Sequence, residues 1–170
     1  YKIKIINDNC HALGAEYKNN KGYASKYADI VTQSYHPVKH ITTGEGGALL
    51  INDRKLYDKI KLLRSHGMTK TNLKFNNKEY PWYYEMHELG YNYRITDFQC
   101  ALGMNQLKKL KKFIAKRRKI AKIYNEAFAQ LPHITTPVIG DNVKHAYHLY
   151  PLLIDFNKFP VSKLKFFNNM

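Results

Sequence analysis

The chain has 170 residues, of which 44% are hydrophobic, and this composition is ordinary for one globular domain and argues against a disordered protein. A formal net charge of +15 favours anionic partners, including nucleic acid, nucleotide sugars and acidic membranes, without choosing among them. No run approaches the roughly 20 apolar residues of a membrane span, and the N-terminus has no signal-like apolar core, so we expect a cytoplasmic protein.

The first predicted elements are strands that end in polar residues. Residues 3–6 predict a short strand that places Asp8 near its C-terminal tip. A polar, glycine-containing loop is predicted over residues 18–27, and strand character resumes over residues 28–35. Lys39 then follows on a loop.

The next segment predicts a strand followed by a helix. A glycine-rich turn at residues 42–47 leads into an apolar strand at residues 48–51. Asp53 is placed to cap a helix over residues 55–65, and Gly67 provides its stop.

The second half predicts an irregular segment and a long helix. Residues 69–90 show no stable period and are predicted to form a long loop. A helix with at most one break is expected over residues 96–130, with one apolar stripe and an intensely basic opposite face. Residues 145–155 predict another strand, and a second, incomplete subdomain is expected to begin at residue 131.

The two cysteines and the chain ends carry little functional signal. Cys10 and Cys100 lie far apart and in no metal-ligand or redox spacing, so each is predicted to fill the core, without a disulfide or a metal site. The chain opens directly on a strand-like run and stops without a polar tail, so we expect an internal piece of a longer protein.

A candidate constellation comes from three residues at or just beyond predicted strand ends: Asp8, Ser34 and Lys39. Ligand sites of α/β folds lie at such positions. A pyridoxal-type cofactor needs a lysine amine, a carboxylate for its ring nitrogen and donors for its phosphate. Taken alone the pattern is weak, because a capping carboxylate, a strand serine and a solvated lysine are simpler interpretations.

Two ordered blocks strengthen this interpretation. Residues 7–15 (Asn-Asp-Asn-Cys-His-Ala-Leu-Gly-Ala) and residues 34–47 (Ser-Tyr-His-Pro-Val-Lys-His-Ile-Thr-Thr-Gly-Glu-Gly-Gly) resemble the DegT/DnrJ/StrS sugar aminotransferase family. The resemblance continues through residues 63–67 (Leu-Arg-Ser-His-Gly) and the block of residues 90–103 that begins Gly-Tyr-Asn-Tyr-Arg, so that it covers nearly the whole chain.

Two further segments narrow the resemblance within the family. Within the family, the transaminases that act in pseudaminic acid synthesis are the most similar to residues 81–85 and residues 145–151.

The resemblance implies an α/β fold that is part of a fold type I transferase dependent on pyridoxal 5'-phosphate (PLP). Residues 1–130 would form the C-terminal part of a mixed-sheet large domain and its linking helix, and residues 131–170 the truncated start of a smaller α+β domain. The implied reaction moves an amino group from L-glutamate to C4 of a UDP-linked 4-keto-6-deoxy-N-acetylhexosamine. A homodimer with shared active sites is expected, with neither nucleic acid nor a membrane as partner.

The resemblance also implies a role for each candidate residue. Lys39 would form the Schiff base with PLP and move the proton between the substrate carbon and the cofactor. Asp8 would pair with the pyridinium nitrogen, His11 would contact the ring or its phenolic oxygen, and Ser34 would bind the phosphate. Asn92 would reach the phosphate of a neighbouring subunit. A core histidine at 11 and a turn residue at 92 are the simpler alternatives.

Other residues near these motifs receive more modest predictions. The glycines at 44, 46 and 47 are predicted to form a tight turn beside the cofactor, because their spacing matches no phosphate-loop pattern. His148 is predicted to be a strand histidine, with a place in the sugar pocket as the alternative. Family members begin earlier and continue further, so we expect the isolated 170-residue chain to be weakly active or inactive.

Competing functions stay open at this point. The basic helix face of residues 107–122, which includes Arg117 and Arg118, would suit a nucleic-acid-binding module, although no recognition motif accompanies it and such runs are usually solvated. Family relatives with a replaced lysine are disfavoured by Lys39. The same chemistry on a 3-keto or dTDP-linked sugar is left open.

Overall fold

The structure of the protein, a computed structural model, describes residues 3–75 and 80–170. Residues 76–79 of the predicted loop, and the first two residues of the chain, lie outside the described residues. The elements in chain order are β1 (Ile6–Asp8), β2 (Glu16–Tyr17), a 3-10 helix (Tyr23–Lys26), β3 (Ile30–Ser34), β4 (Gly47–Ile51), α1 (Arg54–Arg64), β5 (Met68–Thr69), β6 (Glu85–Met86), α2 (Asp97–Phe128), β7 (Ile134–Thr135), β8 (Val143–Lys144), β9 (Leu153–Ile154) and α3 (Lys163–Asn168).

Three strands form a mixed sheet in the order β1-β3-β4, with β1 parallel and β4 antiparallel to β3. The register sets Asp8 beside Thr32. The first strand begins later than predicted, because the Asp29 side chain accepts from the Ile5 N–H at 2.9 Å and so takes a donor away from the ladder. The later strand predictions, over residues 28–35 and 48–51, are confirmed to within two residues.

Local signals fix the helix α1 as predicted. The Asp53 side chain accepts from the N–H of Leu56 at 2.8 Å, which is the N-cap bond expected from an aspartate there. At the other end His66 and Gly67 both take left-handed conformations, at φ +62° and φ +69°, and the Gly67 N–H donates to the Leu62 carbonyl, so the helix stops just before these two residues.

The long helix α2 runs unbroken for 32 residues. It begins at a reciprocal capping box between Thr96 and Gln99. Its buried positions are Ile114 and Ala121, while Leu107 of the predicted apolar stripe is 53% exposed. Within residues 3–75 and 80–170, none of the helices combines the length and the apolar character that a membrane span requires.

Two small apolar clusters lie on either side of the first strands. Ala24, Ala28 and Val31 pack between the 3-10 helix and β3. Ala15 and Ala146 pack with Ile114 of α2, and this second cluster anchors the segment after β8 against the helix.

Two predictions are wrong and a third is confirmed in part. Residues 145–155 do not form one strand: only Leu153–Ile154 pairs, with β7, because Tyr147 takes φ +51° and its carbonyl is bound by a side chain. The predicted loop over residues 69–90 is confirmed in part: its described residues are irregular except at the short antiparallel pairing of β5 with β6. Cys100 is exposed on α2 rather than buried, although both cysteines are free thiols. The predicted domain boundary after residue 130 stays a prediction.

Candidate active site

Asp8 lies at the end of β1 with its carboxylate fixed by its neighbours. The backbone N–H of Cys10 donates to Oδ1 at 3.1 Å, and the hydroxyl of Thr32 donates to the same oxygen at 3.3 Å. The pKa of Asp8 is held below its ordinary value by hydrogen bonds from the thiol and the backbone N–H of Cys10 and from the hydroxyl of Thr32. The exposed strand tip therefore carries a stable anion.

Lys39 follows β3 on a tight loop. The Ser34 hydroxyl accepts from the His36 N–H at 3.5 Å, and the Lys39 N–H donates to the His36 carbonyl at 2.9 Å. Burial raises the pKa of the Cys10 thiol and lowers that of His148, and the half-buried Lys39 is close enough to both for its positive charge to oppose the first shift and add to the second. Lys39 and the Asp8–Cys10 turn thus share one end of the sheet.

The loop after Lys39 is folded back by the glycine-rich turn. The Tyr35 N–H donates to the Gly46 carbonyl at 2.8 Å, where Gly46 has φ +149°. A Cβ at Gly47 would lie 2.5 Å from the Gln33 carbonyl oxygen, so the backbone approaches β3 too closely for a side chain. Glycines at these positions serve the turn.

Three histidines meet beside this loop. The ring centroids of His11 and His148 are 4.1 Å apart, and those of His40 and His148 are 5.5 Å apart. Within the described residues, Nδ1 of His148 has no hydrogen-bond partner. Burial, helped by the positive charge of Arg117, lowers the pKa of His40 to about 4, and burial also lowers that of His148. Both rings are neutral at pH 7.

The helix α2 holds the segment that carries His148. Arg117 Nη1 donates to the carbonyls of Tyr147 at 3.0 Å and His148 at 3.3 Å. Arg118 donates to the carbonyl of His145 through Nε at 2.9 Å, and through Nη2 to the Lys144 carbonyl at 3.1 Å and the Gly14 carbonyl at 3.4 Å. Arg117 and Arg118 of the predicted basic face therefore bind backbone carbonyls of this chain.

Asn92 belongs to a unit that we define by the motif blocks of residues 63–67 and 90–103. It forms an isolated bridge with Ser65, next to backbone bonds that join the two predicted motif blocks of residues 63–67 and 90–103. The blocks approach so closely that a Cβ at Gly90 would lie 2.3 Å from the Gly67 nitrogen. The contacts that fix Asn92 lie in this unit and not on the Lys39 loop.

The structure therefore brings four of the five predicted residues to one region and leaves the fifth apart. Asp8, His11, Ser34 and Lys39 lie at the tips of β1 and β3 or on the turns that follow them. Asn92 does not join them through the contacts described above.

Sequence reasoning missed other residues of this region. Cys10 was predicted to fill the core but supports Asp8, and its position two residues after a strand-end aspartate was the available signal. Thr32 lies two residues before Ser34 and so on the same face of β3. Nothing in the sequence indicates that His40 and Arg117 approach His148. Among the described residues, no group of three or more histidine, cysteine or acidic side chains is arranged to hold a metal ion.

The arrangement of an anionic carboxylate, a lysine and a hydroxyl around one sheet end suits a pyridoxal-type site, and comparison with known proteins defines the class. Residues 1–169 match the model of the DegT/DnrJ/EryC1/StrS aminotransferase family, and the chain belongs to that family.

Individual relatives narrow the comparison. The chain is 47% identical over all 170 residues to UDP-4-amino-4,6-dideoxy-N-acetyl-beta-L-altrosamine transaminase of Campylobacter jejuni, and it spans 42% of that protein. It is similar to the structure of Helicobacter pylori PseC, an aminotransferase involved in the biosynthesis of pseudoaminic acid, with 37% identity and a TM-score of 0.79 over 91% of this chain and 39% of PseC.

A third comparison includes a cofactor-bound state. The PLP form of Spr1654 from Streptococcus pneumoniae gives a TM-score of 0.76 and 29% identity over 90% of this chain and 38% of Spr1654. These neighbours confirm the predicted fold class, with its mixed sheet. The chain thus spans about two fifths of the length of the relatives it matches.

Proposed function

We propose that the protein containing this chain is a PLP-dependent aminotransferase that acts on a nucleotide-linked keto sugar, and that Lys39 holds the cofactor. The observation that carries the proposal is the placement of the anionic Asp8 and of Lys39 at the same end of the mixed sheet. Because the chain belongs to an aminotransferase family, we interpret this lysine and this carboxylate as the pair that would hold the cofactor.

The residues present fit pyridoxal phosphate. Cys10 and Thr32 both bind Oδ1 of Asp8, so that Oδ2 of this exposed side chain is available to accept from a protonated ring nitrogen. A carboxylate with a lowered pKa stays anionic and keeps that nitrogen protonated. Among the described residues, the bond that the Ser34 hydroxyl accepts is the long one from the His36 N–H, so its proton is available to a phosphate oxygen.

When bound, PLP supplies an electron-withdrawing ring that stabilises negative charge on a neighbouring carbon. The Nζ amine of Lys39 would hold the cofactor and, once a substrate amine has displaced it, would be free to take and return the proton at the carbon that gains or loses the amino group. His11 faces the ring from the Asp8 turn. Asn92 reaches the phosphate in a second copy of the chain, so that the active unit is a homodimer with shared sites.

The proposed acceptor is C4 of a UDP-linked 4-keto-6-deoxy-N-acetylhexosamine, supported by one relative named as a UDP-4-amino-4,6-dideoxy-N-acetyl-beta-L-altrosamine transaminase and by PseC, which takes part in pseudoaminic acid biosynthesis. L-glutamate as donor and the cytoplasm as location belong to the proposal through the family resemblance alone. A dTDP-linked or 3-keto sugar is the alternative acceptor within the same chemistry. A nucleic-acid function is not favoured, because no recognition motif accompanies the basic face and two of its cations, Arg117 and Arg118, bind backbone carbonyls.

The substrate proposal is tested with the intact protein, PLP and ¹⁵N-labelled glutamate. We expect the label to appear in a UDP-linked 4-amino sugar, detected by mass spectrometry, with release of 2-oxoglutarate. A matched reaction with the dTDP-linked 4-keto sugar serves as control. Equal or greater transfer to the dTDP-linked sugar would contradict the UDP assignment, and no transfer to any keto sugar would contradict the aminotransferase proposal.

A further inference from the structure

We propose that His148 is a positioning residue of the cofactor site: its ring packs against His11 and fixes the orientation of the His11 ring, while Arg117 holds His148 in place. This inference rests on the proposed function, since it takes His11 as a contact of the PLP ring. It assigns a role to a histidine that lies 137 positions further along the chain than His11.

The ring contact is the first step of the argument. The centroids of His11 and His148 are 4.1 Å apart with the rings tilted by 45°, which is the distance of direct packing between planar side chains. His11 is exposed on its other sides, so that the half-buried His148 is the firm surface against which it rests. An exposed imidazole with one packed face has far fewer orientations than one in solvent.

His148 is itself held from behind. Arg117 donates to its carbonyl and to that of Tyr147, and Tyr147 turns the chain at φ +51°. The preceding Ala146 is 1% exposed and packs on Ile114 of α2. The segment that carries His148 is therefore fixed to α2 by the two hydrogen bonds from Arg117 and by the packed methyl group of Ala146.

The charge state of the cluster allows the packing. Burial lowers the pKa of His148, and the nearby His11, Lys39 and Arg117 lower it further because each opposes a positive charge on this ring. The His40 ring packs 5.5 Å away on the same side and its pKa is lowered to about 4. At pH 7 the imidazole of His148 thus presents a neutral ring to His11, without repulsion between like charges.

The test compares four variants of the intact protein. His148→Ala removes the ring, and His148→Phe keeps a ring but removes both nitrogens. Arg117→Met removes the two bonds to the backbone, and Lys119→Met is the matched control, because Lys119 is an exposed cation on the same helix. The readouts are the PLP dissociation constant, the visible circular dichroism band of bound PLP, which reports ring orientation, and the melting temperature.

We expect His148→Ala and Arg117→Met to weaken PLP binding by about three- to tenfold, the range that one ring-packing contact contributes, and to change the dichroism band. His148→Phe and Lys119→Met should retain both signals.

Wild-type binding with an unchanged band in His148→Ala would overturn the positioning role. Loss of the band in His148→Phe would also overturn it, because it would show that the nitrogens, and not ring packing, matter. If His148→Ala fails to fold, the PLP binding and the dichroism bands of Arg117→Met and His148→Phe still test the positioning role. A wild-type protein that binds no PLP would instead overturn the proposed function.

Discussion

Replacement of Gly67 by alanine should destabilise the unit that carries Asn92. Gly67 has φ +69°, and an added Cβ would lie 1.8 Å from the Glu88 carbonyl oxygen and 2.6 Å from its carbonyl carbon. The obstacle is backbone and cannot rotate away. The steric overlap can therefore be removed only if the backbone around Gly67 moves away from the backbone around Glu88. This movement would break the 2.8 Å bond from the His87 N–H to the Gly67 carbonyl.

The expected magnitude has two parts. The left-handed conformation costs an alanine about 1–2 kcal/mol. Displacing the backbone and losing a hydrogen bond adds about 2–3 kcal/mol, so the free energy of unfolding should fall by about 3–5 kcal/mol. Gly44 is the matched control: it has φ +80°, but apart from its chain neighbours no atom of the described residues would lie within 4 Å of an added Cβ, so Gly44→Ala should cost only the conformational part.

The assay is urea denaturation of the intact protein and of both alanine variants, followed by circular dichroism. Gly67→Ala should shift the midpoint to clearly lower urea than Gly44→Ala. If the two variants are equally stable, the close approach of Gly67 to Glu88 is not a rigid feature and the reasoning is refuted.

Three further predictions address the helix cap, a buried histidine and the cofactor carboxylate. Asp53→Ala removes the acceptor for the Leu56 N–H and should lower the free energy of unfolding by about 1 kcal/mol in urea denaturation, while Asp53→Asn should retain most of it. Because the pKa of His40 is about 4 in the folded protein against 6.5 in the unfolded chain, the unfolded chain binds more protons between these values. The free energy of unfolding should therefore fall by up to about 3 kcal/mol as the pH drops from 6.5 to about 4. In His40→Asn the free energy of unfolding should depend less on pH over this range. The same pH dependence as in the wild-type protein would contradict the role given to His40. Asp8→Asn removes a charged acceptor and should weaken PLP binding by about ten- to a hundredfold in an absorbance titration; equal affinity would contradict the pairing with the ring nitrogen.

The elements that the sequence predicts best are those fixed by neighbours along the chain. The helix α1 depends on the Asp53 cap and on Gly67 just past its end, and both signals lie within a few residues of the bonds they make. The positions of Asp8 and Ser34 at strand ends follow in the same way, from polar residues that close short apolar runs.

The failures have long-range causes. Residues 145–155 have a strand-like composition, but Arg117, about 30 positions earlier, takes the Tyr147 and His148 carbonyls that a ladder would use. The burial of His40 and its approach to His148 likewise come from packing between distant segments. The basic face of α2 was predicted as solvated, yet Arg118 turns inward to bind carbonyls on β8 and at Gly14.

The most direct test of the central claim is to reduce the intact protein with borohydride in the presence of PLP and to locate the label by peptide mass spectrometry. The account predicts a pyridoxyl group on Lys39, lost in Lys39→Ala and retained in Lys108→Ala, a matched exposed lysine on α2. A label on another lysine, or no label on the wild-type protein, would contradict it.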